Sequence, residues 1–358
     1  MGKRKGSKPQ YTKVIPKSKK AVEITKEEEK KRKRSNIARH STFITVFVVL
    51  VLVLSFAGRW IYAIQKNYFG TFVEVDFSAQ EALENIDALN PNSEEAELLL
   101  PYQTASDLFK ASRLCDEVSM TAGDGISLHG YLYNENSDKT VIVLQSFGLS
   151  GKEDFLPIAA LSQAYDCNFL LLDARASGES QGDYFSYGYH EQDDLADWIA
   201  WADEKLGKQS YLIWGIGAGA NTALFADENS LLPDSVSAIV AENPYASLHD
   251  LAKKNIRQWY TLPAFPFLNA IELRVRLSKT DFTVDDVNLE SVLSKEAEDI
   301  PLLFLSSDGD QYIQKEFTMD AYSLFSGEKE LICGSGSHGT VYAEKEADIL
   351  SWIAEKWK

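Results

Sequence analysis

The sequence predicts an α/β fold for residues 115–358, with eight strands in a mostly parallel sheet and helices on both faces. Three observations lead there. From Val141 onward, short apolar runs alternate with stretches of helical spacing, the pattern of a parallel sheet covered on both sides. The runs 141–145 and 168–173 are nearly continuous in apolar character, as strands buried on both faces must be. Finally, 209–221 reads Q-S-Y-L-I-W-G-I-G-A-G-A-N. An apolar strand there passes through a glycine-rich turn directly into a helix-forming run.

The elements follow in order. Strands over 117–121 and 126–133 alternate in polarity and are joined by Gly123-Asp124-Gly125, a hairpin signal. After the strand at 141–145, helical spacing covers 153–165, and the strand at 168–173 is followed by a helix over 190–206. The strand at 211–214, the helix at 218–226 and the strand at 237–241 come next. Residues 247–299 lack strand signals and contain Pro263 and Pro266, so they predict a helical insertion after the sixth strand. Its aromatic residues Trp259, Tyr260, Phe265 and Phe267 are expected mainly to pack the insertion onto the sheet, with a pocket lining as the alternative. A strand at 301–306, a helix at 314–325, a strand at 330–333 and a last helix at 341–357 complete the domain.

The N-terminal third differs. Residues 1–40 carry 15 Lys/Arg against 4 Asp/Glu, whereas the rest carries 21 against 49, within a net charge of −17. Between the two lies an uncharged run of 18 residues, Ser41 to Gly58, with apolar character continuing through Ile64 and Arg59, Trp60 and Tyr62 at its end. About 20 apolar residues span a bilayer as a helix, and Trp and Tyr favour its interface. Residues 41–64 therefore predict a signal-anchor helix rather than a cleaved leader, because both the basic lead and the apolar run are too long for the latter. Lys31-Arg32-Lys33-Arg34 and Arg39 precede the span, so tail 1–40 is expected in the cytoplasm and the body outside. Residues 65–114 are polar and acidic and predict a partly packed stalk, with helical stretches at 79–89 and 94–100 broken at Asn90-Pro91 and Pro101.

Some function classes fall away. An acidic body repels nucleic acid, and the basic tail has little aromatic interleaving, which fits anionic lipid better. Cys115, Cys167 and Cys333 have no metal-ligand spacing and are expected as buried free thiols. The glycines at 215–219 lack the Lys-Ser/Thr of a phosphate-cradling loop. No metal or cofactor is expected.

The motifs point further. The segment Asp173-Ala-Arg175-Ala-Ser-Gly178-Glu-Ser180-Gln-Gly182, then Tyr187-Gly-Tyr-His190-Glu191, and Glu242-Asn-Pro-Tyr-Ala-Ser-Leu248 occur in this order around the glycine turn. Together they resemble the α/β-hydrolase fold over residues 115–358, and most closely its serine-aminopeptidase-like and acyl-hydrolase branch. That resemblance implies a nucleophile elbow, G-x-S-x-G, after the fifth strand. Here the frame is Gly215-Ile-Gly217-Ala-Gly219, with glycine at the nucleophile position. The segment 178–182 matches G-x-S-x-G as text, but no helix follows it, so Ser180 is expected in a structural loop. The resemblance also places the triad acid at Asp310, with Asp308 as its neighbour, and the histidine at His338. It assigns the oxyanion donors to Ala218 and to the loop at Ser146–Phe147, where Gln145-Ser-Phe-Gly148 replaces the usual His-Gly.

Losing a serine nucleophile costs about 10⁶ in turnover where it has been measured, and losing one oxyanion donor about 10²–10³. Acyl transfer through a covalent serine ester is therefore not expected at this site. The expectation is a membrane-anchored, catalytically degenerate ectodomain that binds a small molecule, peptide or protein. Two alternatives stand beside it: a His338–Asp310 dyad that activates water in the room left by Gly217, and a nonstandard esterase- or aminopeptidase-like hydrolase.

Overall fold

The structure, a computed structural model, describes residues 94–147, 149–152, 155–277, 281–293 and 300–358, together with 30–31, 33, 45–59 and 61–62. The chain divides into two units, Met1–Trp60 and Ile61–Lys358. In the first, residues 45–59 are helical, and Val46 to Leu54 leave 43–63% of their surface exposed. Among the described residues no helix is long and apolar enough to cross a membrane. Residues 41–44, 60 and 63–64 of the expected span lie outside the described residues, as do most of the basic tail and the expected helix at 79–89.

The second unit contains one eight-stranded sheet: β1 (Asp116–Thr121), β2 (Ser127–Tyr133), β3 (Lys139–Leu144), β4 (Asn168–Asp173), β5 (Ser210–Ile216), β6 (Val236–Glu242), β7 (Leu302–Ser307) and β8 (Lys329–Gly334). Their spatial order is β1-β2-β4-β3-β5-β6-β7-β8. β1 pairs antiparallel with β2, and β2 with β4. All other pairs are parallel. The inner strands alternate their side chains between two cores: Ile142, Leu144, Tyr211 and Ile213 join one, and Val141, Val143, Leu212 and Trp214 the other. This is why those runs read as uninterrupted apolar sequence.

Helices cover both faces. α1 (Glu94–Ser112), α2 (Ile158–Tyr165) and α8 (Val341–Lys356) close one. α3 (Glu191–Leu206), α4 (Ala218–Glu228) and α7 (Lys315–Leu324) close the other. The insertion after β6 forms α5 (Leu248–Tyr260) and α6 (Ala264–Leu277), followed by single 3₁₀ turns at Val284–Asp286 and Leu289–Ser291. Leu268, Ile271 and Val275 of α6 are buried against the same core. Phe267 packs there too, whereas Phe265 is exposed. The side chains of Trp259 and Tyr260 lie outside the described residues.

Three local expectations need correction. The helix expected from residue 153 starts at Ile158, because Pro157 biases Leu156 away from helical backbone. Pro101 does not end the first helix; α1 runs through it to Ser112. An interior proline costs about 3 kcal/mol, and docking offsets it. Leu99 and Phe109 are buried, Phe109 packs on Tyr133 and Phe169 with ring centroids 5.4 and 5.5 Å away, and Tyr102 donates to Glu346 at 2.9 Å. The end of the stalk is therefore part of the body. Cys167 is buried and free as expected, its thiol pushed up to about 12 by burial, but Cys115 is exposed ahead of β1.

Candidate active site

Strand register sets where the site lies. Leu144 is level with Gly215, Ile216 with Glu242, Glu242 with Leu305, and Ser307 with Gly334. The loops leaving β3, β5, β7 and β8 thus emerge along one carboxyl edge, where open α/β sheets bind ligands.

The elbow is built in full. Gly217 has φ 56° and ψ −114°, a region that L side chains rarely adopt and that stores strain at such turns. A Cβ on Gly215 would lie 2.4 Å from the Gly219 carbonyl oxygen, and one on Gly219 would lie 2.2 Å from that of Leu144. Both positions therefore require glycine, because α4 is pressed against the ends of β5 and β3. Only the nucleophile's side chain is missing.

The acid and the base are in place. His338 Nδ1 lies 2.6 Å from Asp310 Oδ2. The other carboxylate oxygen, Oδ1, accepts from the backbone N–H of Tyr312 at 2.7 Å and of Ile313 at 2.9 Å. A carboxylate accepts only, so Nδ1 carries a proton, and in the neutral imidazole Nε2 then presents its lone pair. Asp310 is buried, and the Tyr312 ring stands edge-on to the imidazole at 5.8 Å. Asp308, the alternative acid, is exposed and paired with Lys315 Nζ at 2.6 Å.

The β3 loop occupies the vacant position. Ser146 Oγ lies 3.2 Å from His338 Nε2. A Cβ on Gly217 would fall 2.5 Å from that same Oγ and 3.2 Å from Nε2. The space left by the absent elbow side chain is thus partly filled by a hydroxyl from a neighbouring loop. Phe147 anchors this loop, stacked on Tyr187 at 5.1 Å and tilted against Phe185 at 5.2 Å. Tyr187 itself is set by Glu191, which accepts from the N–H groups of Ser186 and Gly188, each at 2.7 Å. Ala218 opens α4, so its N–H has no acceptor within the helix and is available to an oxyanion.

Two supporting residues, Glu95 and Asn255, lie outside every sequence motif. Glu95 of α1 accepts from Ser337 N–H at 2.5 Å and Thr340 Oγ1 at 3.3 Å, bracing the histidine loop from more than two hundred residues away. Asn255 of the insertion donates to the Tyr312 carbonyl at 3.0 Å and braces the acid loop. Glu242 is buried under the site, where it accepts from Trp214 Nε1 and Val341 N–H, both at 3.2 Å. Burial pushes its carboxyl up, against the lowering effect of the Trp214 and Val341 donors and of nearby His338. Ser180 is structural: its hydroxyl donates to the Asp173 carbonyl at 2.7 Å and accepts from His129 N–H at 2.8 Å.

A separate cluster sits on the insertion, where His249, Glu272 and Asp285 bring ligand-type atoms within 4.8 Å of one another. His249 Nδ1 contacts Glu272 at 2.7 Å, and Arg276 pairs with Asp285 at 3.3 Å. These side chains satisfy one another through the His249–Glu272 hydrogen bond and the Arg276–Asp285 ion pair.

Known proteins agree with the architecture. The α/β hydrolase fold family matches residues 139–265, from β3 into the insertion. The uncharacterized protein YqkD of Bacillus subtilis is 29% identical over 190 residues, 52% of this chain and 61% of that protein. The chain thus spans less than two thirds of that relative's length. An esterase of Pyrococcus furiosus superposes with a TM-score of 0.56 at 20% identity, covering 70% of this chain and 94% of its own. A 2,6-dihydroxy-pseudo-oxynicotine hydrolase superposes at 0.51 and 15% identity, covering 87% and 83% of the two chains. At such identities the likeness establishes fold alone.

Proposed function

We propose that this chain, whose residues 139–265 match the α/β hydrolase fold family, hydrolyses carboxylic esters or related acyl bonds. The observation that carries this is the His338–Asp310 pair, 2.6 Å apart at the carboxyl edge of the sheet. A buried Asp that fixes the tautomer of a partly exposed His makes a general base. His338 takes a proton from the attacking oxygen and returns it to the leaving group, while Ala218 N–H stabilises the developing oxyanion. The elbow turn, intact in its backbone at Gly217, supports the same reading. We further propose that residues 41–64 tether the body to the membrane, with tail 1–40 in the cytoplasm and the hydrolase-like unit outside. The exposed apolar surface of residues 46–54 supports that placement.

A second reading, a ligand-binding ectodomain without turnover, is favoured by one observation, the glycine at 217. Hydrolysis of a p-nitrophenyl ester series by the detergent-solubilised full chain separates the two. His338-dependent turnover is expected. Rates equal in wild type and His338→Ala, at the buffer blank, sink the hydrolytic reading. Protease shaving of intact cells tests the topology: the body is expected to be cut, and its survival beside a cleaved surface marker overturns the orientation.

A further inference from the structure

We propose that the nucleophile of this site is Ser146, supplied by the loop after β3 instead of by the elbow. The inference rests on the hydrolytic reading and names the atom it leaves open.

Three observations converge. Ser146 Oγ is within hydrogen-bond reach of His338 Nε2, at 3.2 Å. The Nδ1 proton is committed to Asp310, so Nε2 is the acceptor and the Ser146 hydroxyl is the donor. That is the polarity a serine needs in order to be activated. The second observation is volume. A Cβ built on Gly217 would stand 2.5 Å from Ser146 Oγ, closer than any real contact, and within 3.2 Å of His338 Nε2. The hydroxyl of Ser146 and a side chain at 217 compete for the same space in front of the same imidazole. Glycine at 217 and serine at 146 are therefore a complementary pair: one vacates what the other fills. The third is preorganisation. Ser146 is only partly buried, so an acyl group can reach it. Its neighbour Phe147 is clamped between Phe185 and Tyr187, which holds the loop against the elbow.

The chemistry balances as in any serine hydrolase. Ser146 Oγ attacks the acyl carbon as its proton passes to His338 Nε2. The tetrahedral oxyanion faces the α4 N-terminus at Ala218, whose first-turn N–H groups have no acceptor inside the helix. Collapse breaks the bond to the leaving alcohol, which takes the proton from His338 and leaves an acyl ester on Ser146. Water then gives a proton to His338 and attacks the ester. Return of that proton to Oγ frees the carboxylic acid and restores the serine.

The test is covalent labelling of the full-length protein with a fluorophosphonate probe, read by peptide mass spectrometry alongside ester turnover. The expected result is a phosphonyl adduct on Ser146, lost in Ser146→Ala and His338→Ala. Turnover in Ser146→Ala should fall by at least about 10³-fold, with an unchanged melting profile. Gly217→Ser alone should lower turnover, because the new Cβ collides with Ser146 Oγ. The exchange variant S146G/G217S should move the label from position 146 to position 217. Failure to label Ser146 under conditions that label a control serine hydrolase overturns the assignment. So does His338-dependent turnover that survives Ser146→Ala, which points to direct water attack and leaves the hydrolytic reading standing. Absence of any His338-dependent turnover removes the hydrolytic reading and this assignment together.

Discussion

Residues 178–182 contain the letters G-x-S-x-G, whereas residues 215–219 have glycine where the serine would stand. In space their roles are reversed. The serine in the first segment, Ser180, spends its hydroxyl on the Asp173 carbonyl and His129 N–H and ties two strands together. The same loop closes around Asp173, which accepts from Ser150 at 2.7 Å, Gly151 N–H at 2.6 Å and Glu179 N–H at 2.8 Å. The second segment has no functional side chain at all, yet it has the strained turn, the close helix packing and the neighbouring imidazole. A nucleophilic site is defined by where a backbone turn places an oxygen relative to a base. The string of letters is only a correlate of that.

Variants can break this contrast or sharpen it. The largest effect is expected at the acid: Asp310→Asn should lower kcat by about 10⁴, the factor seen for the same change in a serine-protease triad. A loss under tenfold in steady-state ester hydrolysis would mean that the pair does not act as base. Next, Gly219→Ala should cost more than about 3 kcal/mol in chemical denaturation, since its Cβ would enter the Leu144 carbonyl. Near-wild-type stability would show that α4 is not pressed on β3 as described. Ser180→Ala should lower stability by about 1–3 kcal/mol through two buried hydrogen bonds and leave kcat within about twofold. A collapse of kcat with stability intact would promote Ser180 to the chemistry and reverse the comparison.

Smaller effects test the supports. Glu95→Ala frees Ser337 N–H beside His338, and about a tenfold fall in kcat is expected, equivalent to about 1.4 kcal/mol. An unchanged kcat would reduce α1 to a cover over the core. Glu228 offers the mildest case. Burial raises its carboxyl to about 6 in the folded state, from 4.5. A raised folded value means that stability is full below about pH 4.5 and is lost as pH rises through about 6. Glu228→Gln should flatten that segment of the stability–pH curve, and an identical slope in wild type and variant would count against it.

The sequence by itself determined the sheet, because burial on two faces demands runs such as 141–145 and 211–214 with no polar interruption, and tight turns demand particular residues. It also determined the elbow frame, since Gly215 and Gly219 stand where a helix and a strand meet too closely for any Cβ. The pairing of Asp310 with His338 was legible through order along the chain. The continuation of α1 past Pro101 was not, because a local breaker is outweighed only by contacts with Phe169, Tyr133 and Glu346 that are remote in sequence. The preference for Asp310 over Asp308 came from the motif, and the structure adds that Asp308 is exposed and paired with Lys315. Above all, only the tertiary structure decided that Ser146, read from sequence as part of an oxyanion loop, faces His338 across the empty position at Gly217. That fact depends on the level register of Leu144 with Gly215, 71 residues further on, and pairing between strands so far apart leaves no trace in the residues between them.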